Sequence, residues 1–65
     1  MAHIYEVTAR FMGDTIHFNV RAEHPDDGEE MKMALQVAHR QAEVIFQKPA
    51  NISTSPVVAI KLAKD

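Results

Sequence analysis

The chain of 65 residues predicts a one-domain α+β fold of order ββαβ, and three observations carry that expectation. Two neighbouring segments alternate apolar and polar residues on either side of a glycine turn. A long segment between Asp26 and Gln47 repeats apolar residues at helical spacing, and a short β-branched run follows Pro56. The expected boundaries are a strand over 3–12, a strand over 15–23, a helix over 27–47, a loop over 48–56 and a strand over 57–63. One helix then covers one face of a three-stranded sheet. The preferred strand order is 2-1-3 with antiparallel neighbours, and order 1-2-3 is the alternative.

The hairpin is the clearest local signal. From Tyr5 to Phe11 and from Ile16 to Ala22, every second residue is apolar. Gly13 can supply the positive φ at the first central position of a two-residue II′ turn. With Gly13-Asp14 as the loop, Phe11 faces Ile16, Ala9 faces Phe18, Val7 faces Val20 and Tyr5 faces Ala22, all on one face. The other face then pairs Arg10 with His17, Thr8 with Asn19 and Glu6 with Arg21, the last an opposite-charge pair.

His24-Pro25-Asp26-Asp27-Gly28-Glu29 breaks the second strand and starts the helix. Asp26 with Glu29 matches a capping box, and acidic residues in the first turn suit the positive end of the helix dipole. The helix is expected to end before Pro49, because the residue preceding proline disfavours helical geometry. In the last strand Val58, Ile60 and Leu62 point inward, and Val57, Ala59 and Lys61 point outward.

At about 100° per residue, Met31, Ala34, Leu35, Ala38, Ala42, Ile45 and Phe46 fall in one arc, the width of a core face. Met33, Val37 and Val44 form a second, narrower stripe nearly opposite. Arg40, Glu29 and Gln47 border it on one side, and Glu30 and Gln41 on the other, the apolar centre and polar rim of an interface. Two explanations stand. Either the stripe meets a partner, or the loop over 48–56 covers it, with Ile52 packed on Val37 or Val44.

Composition excludes several function classes. A formal charge of −2 gives no general attraction for nucleic acid or an anionic membrane, and no cysteine supports a disulfide or a thiolate metal site. No apolar run is long enough to span a bilayer, and the N-terminus lacks the basic and apolar regions of a signal peptide, so a soluble cytoplasmic protein is expected. His3, His17, His24 and His39 are dispersed, without HExxH or triad spacing. No enzyme activity, cofactor, metal or small-molecule substrate is therefore expected. Met1-Ala2-His3 permits tetragonal Cu(II) or Ni(II) binding only if the initiator methionine stays.

Three candidate sites remain. The helix stripe offers Met33, Val37, Arg40 and Val44. The acidic turn offers Glu23, Asp26, Asp27, Glu29 and Glu30, whose spacing does not fit an EF-hand. The outer sheet face offers Arg10, His17, Arg21 and Lys61 to a phosphate backbone. That face lacks an aromatic stacking platform, because Tyr5, Phe11 and Phe18 point toward the helix.

The run Phe18-Asn19-Val20-Arg21-Ala22-Glu23, the acidic turn, and Glu30 leading into Ala34 and Ala38 resemble a strand-to-helix pattern of very small phage proteins. The element order is similar to that of phage-encoded inhibitors of bacterial RNA polymerase. This resemblance covers most of the chain as layout and carries no functional residues across. It implies a compact non-enzymatic binder that blocks or redirects a host machine. A protein-binding module, with a host protein or a second copy as partner, is thus the leading expectation. A nucleic-acid-associated regulator and a homodimeric accessory protein are the alternatives.

Overall fold

A computed structural model describes residues 2–63. Strand β1 (His3–Phe11) and strand β2 (Asp14–Ala22) form the hairpin, helix α1 (Asp27–Phe46) follows, and strand β3 (Val57–Leu62) completes the sheet. Strand order is β2-β1-β3, with β1 antiparallel to both neighbours. The two outer strands therefore run parallel to each other, joined by a crossover through α1 that skips the central strand.

The hairpin turn differs from expectation. Met12 and Gly13 form the loop with φ of 49° and 87°, the two positive values of a type I′ turn. Phe11 consequently pairs with Asp14, Ala9 with Ile16, Val7 with Phe18 and Tyr5 with Val20. The pairing is displaced by two residues, which leaves every side chain on its expected face. A type I′ turn carries the right-handed twist of the flanking strands, and Met12, 76 % exposed, needs no packing partner there. The displacement also removes the Glu6–Arg21 pair. Arg21 lies opposite Ile4, and Glu6 instead reaches Lys61 on β3, at 3.6 Å.

Helix α1 begins as the sequence predicts, with one difference. Asp26 Oδ1 accepts the backbone N–H of Glu29 at 3.0 Å. The reciprocal half of the capping box is replaced, since the backbone N–H of Asp26 donates to His24 Nδ1 at 3.0 Å. At the other end Gln47 adopts the left-handed conformation. The N–H of Gln47 then bonds the Val44 carbonyl and that of Lys48 the Glu43 carbonyl, a Schellman closure.

The helix packs on all three strands along Glu30, Ala34, Ala38 and Ala42, one residue per turn. Opposite this line lie Tyr5, Val7, Val20 and Ala22, with Phe18, Val58 and Ile60 half-buried around them. The ring of Phe46 stands 5.5 Å from that of Phe11 and closes the far end of the core. The broad arc is thus narrower than expected. Met31, Leu35 and Ile45 are exposed, because the alanine methyls bring the helix axis close to a sheet only three strands wide. Leu62 is also exposed although it faces inward.

Met12 in the left-handed region carries a conformational cost that Asn largely avoids. Met12→Asn should therefore raise stability by about 0.5–1 kcal/mol, read as a higher urea midpoint with unchanged slope. Gly13→Ala should lower it by about 1 kcal/mol through backbone strain alone, since an added Cβ meets nothing within 4 Å.

Candidate functional site

The narrow helix stripe remains open to solvent. Met33, Val37 and Val44 are 41, 39 and 69 % exposed, so the loop over 48–56 does not cover them, and Ile52 is only half-buried. Arg40 lies exposed between Val37 and Val44, and exposed Gln41 borders the other side. With Met31, Leu35 and Ile45 also exposed, six large apolar side chains of one helix stand outside the core. The outward ridge between the flanks is polar, carrying Glu29, Lys32, Gln36 and Glu43.

The acidic turn divides into two parts. Asp26 serves as the helix cap, and exposed Glu29 approaches Lys32 at 3.4 Å, a weak surface pair. Asp27 and Glu23 are exposed. Glu30 departs from the expected surface position and is 1 % exposed. It sits one turn before Ala34 on the buried line, so the same periodicity that buries the alanines carries it inside.

Three donors make that burial tolerable. The Tyr5 hydroxyl donates to Glu30 Oε2 at 2.6 Å, His3 Nδ1 lies 2.8 Å from the same oxygen, and the backbone N–H of His24 reaches Oε1 at 3.3 Å. The carboxylate thereby ties the start of β1, the end of the hairpin and the first turn of α1 into one knot. The Tyr5 hydrogen bond is the main influence holding the Glu30 carboxyl below its usual range. Burial opposes that shift, and His3 and the His24 N–H reinforce it. Tyr5 is pushed up to about 12, first by its bond to Glu30, then by burial and by the charges of Glu30 and Asp27. Sequence reasoning placed these residues apart. The one available signal was Glu30 lying four residues before Ala34 on the helix, opposite a tyrosine at an inward strand position.

No group of three His, Cys, Asp or Glu side chains able to hold a metal occurs among the described residues. His3 Nδ1, one of the donors the N-terminal metal motif needs, faces Glu30, while Met1 lies outside the described residues.

The outer sheet face holds a shallow concavity of about 610 Å³, bordered by Glu6, Thr8, His17, Asn19, Ala59 and Lys61. His17 Nδ1 shares a 3.2 Å hydrogen bond with Thr8, and Lys61 is paired with Glu6. Arg10 and Arg21 lie exposed on the same face, on either side of that centre. Among the described residues no Phe or Tyr side chain points outward there, and the ring on that face is the imidazole of His17. No helix is long and apolar enough to cross a membrane among the described residues.

Linkage gives the knot a definite pH signature. Because the folded Glu30 pKa is depressed, its contribution is present above the ordinary carboxyl range and is lost as pH falls through the folded value. The raised Tyr5 pKa gives a contribution present below about 10 and lost as pH rises toward about 12. Tyr5 is the single tyrosine of the chain, so an ultraviolet absorbance titration reads it alone. The ionisation midpoint should lie near 12 and move toward 10 in Glu30→Gln; an unchanged midpoint in that variant would show that Glu30 does not hold the proton.

No protein-family model matches the chain, and comparison with curated proteins and with solved structures returns no match.

Proposed function

We propose that this chain is a small non-enzymatic protein-binding module that acts by occupying a surface of its partner. One observation carries the reading: the stripe of Met33, Val37 and Val44, rimmed by Arg40 and Gln41, stays in water although the fold has a core of its own. Apolar side chains in that arrangement gain most from a second protein surface, where their burial is not opposed by unpaired polar groups. The resemblance of the element order to that of phage-encoded inhibitors of bacterial RNA polymerase is what suggests an inhibitory role against a host complex. The outer sheet face supports a nucleic-acid regulator less well, since its lysine is paired with a carboxylate and its aromatics point inward.

Affinity capture from bacterial lysate tests the reading. Wild-type bait should retain a specific protein up to about 0.5 M salt, because apolar contacts resist screening whereas phosphate contacts are lost. Val37→Ala/Val44→Ala should lose that protein while keeping its far-ultraviolet circular dichroism. Equal recovery on both baits would exclude the stripe. Nucleic acid recovered only at low salt would favour the outer sheet face instead.

A further inference from the structure

We infer that the free edge of β2 takes an extended segment of the partner protein, which adds antiparallel as a fourth strand beside the helix stripe. The inference rests on the protein-binding reading and states what kind of segment the partner presents. Its first support is main-chain hydrogen bonding. A two-residue turn closes on a hydrogen-bonded pair, so Phe11–Asp14 and each second pair after it exchange bonds within the hairpin. Thr15, His17, Asn19 and Arg21 therefore point their N–H and C=O groups away from β1. The same alternation holds across β1, where the Ile4 carbonyl turns to the other side and accepts the Ala63 N–H at 2.8 Å. Among the described residues the outward main-chain groups of Thr15, His17, Asn19 and Arg21 have no protein partner. Strand β2 runs nine residues in unbroken register, without proline or bulge to close its edge. Strand β3 is six residues long and follows directly on Pro56.

The second support is the surface beside that edge. A crossover between parallel strands is right-handed, which turns the arc of Met33, Val37 and Val44 toward β2 and away from β3. The first half of α1 leans on β2, since Val20 is buried while Leu62, at the same level of β3, is 52 % exposed. Ile16 and Phe18 are only half-buried on that side of the sheet. A strand laid along β2 covers both and meets Met33 and Val37, so one segment satisfies the main chain and the apolar flank together. Its composition follows from the two faces. Side chains directed toward α1 are apolar. Those on the outer face meet Thr15, His17, Asn19 and Arg21, which include no acid, and Glu6 is already engaged by Lys61 at 3.6 Å. An acidic residue opposite Arg21 completes the match.

Selection from a displayed random-peptide library, with the wild-type chain as bait, tests the inference. Amide hydrogen exchange then maps the complex, and a synthetic chain methylated on the Asn19 backbone nitrogen probes the edge. That methyl removes one outward donor without changing a side chain or a bond to β1. Selected peptides should alternate apolar and polar residues, with acids among the polar ones. They should slow exchange at Thr15, His17, Asn19 and Arg21. The methylated chain should bind them about 10-fold or more weakly while keeping its circular dichroism. Helical peptides that bind both chains equally would overturn strand addition and leave the stripe as the docking surface by itself. A library without binders would also overturn it, and slowed exchange at Val58, Ile60 and Leu62 instead would overturn the choice of β2. A free chain that forms dimers dispersed by the methyl would assign the edge to a second copy and overturn the partner segment. Peptides sensitive to the methyl but indifferent to Val37→Ala/Val44→Ala would keep the strand and remove the stripe, so the two readings fail separately. Should the Asn19 methyl prevent folding, the same modification at His17 and the exchange map of the unmodified chain decide.

Discussion

Close approach of α1 to the sheet is the constraint on which the rest of the structure depends. Three alanine methyls and one carboxylate form the buried line of the helix, with Phe46 meeting Phe11 at its end, and alanine lets a helix lie nearer the strands than leucine or isoleucine would permit. The consequences are opposed. The core gains tight packing with little side-chain entropy to lose, and it also remains small, with Val7 as the largest apolar side chain to be wholly enclosed. A helix set so low on three strands cannot tuck both flanks beneath itself. Its larger apolar residues stand at the sides, where a partner surface can reach them.

Glu30 is the second consequence of that low seat. At one end of the contact line the position is lined by Tyr5, His3 and the chain leaving β2, which together provide three donors. A leucine there would leave the Tyr5 hydroxyl without an acceptor, and an alanine would leave a void. The carboxylate fixes how the helix enters the sheet. Its counterpart at the other end is the Phe11–Phe46 contact, so the helix is held by a polar clasp at its start and an aromatic one at its finish.

Much of the architecture was legible in the sequence. Alternation in the two hairpin segments, the Asp26 cap and Pro49 after the helix fixed the elements to within a residue or two, and the preferred order with β1 central is the one observed. The turn was not legible, because Gly13 fits either the first position of a II′ loop or the second of a I′ loop. Only the pairing of the whole hairpin separates these. The depth of the helix was missed for a related reason. Periodicity placed Met31, Leu35 and Ile45 in one core arc with Ala34, Ala38, Ala42 and Phe46, whereas of that arc only the three alanines are fully buried. The exposed stripe at Met33, Val37 and Val44 was visible from spacing alone. That it stays uncovered required the path of the loop over 48–56.

The placement of β1 between two strands that meet it from very different distances along the chain shapes how this fold assembles. Pairing with β2 closes through a two-residue turn, a local event on the microsecond scale. Pairing with β3 must first close a loop containing the entire helix, at a correspondingly larger entropic cost. Strand β3 is therefore the late arrival. Until it docks, the central strand offers a free edge with Tyr5, Val7, Ala9 and Phe11 alternating along it, and this half-built sheet is the form most exposed to misassociation with other chains.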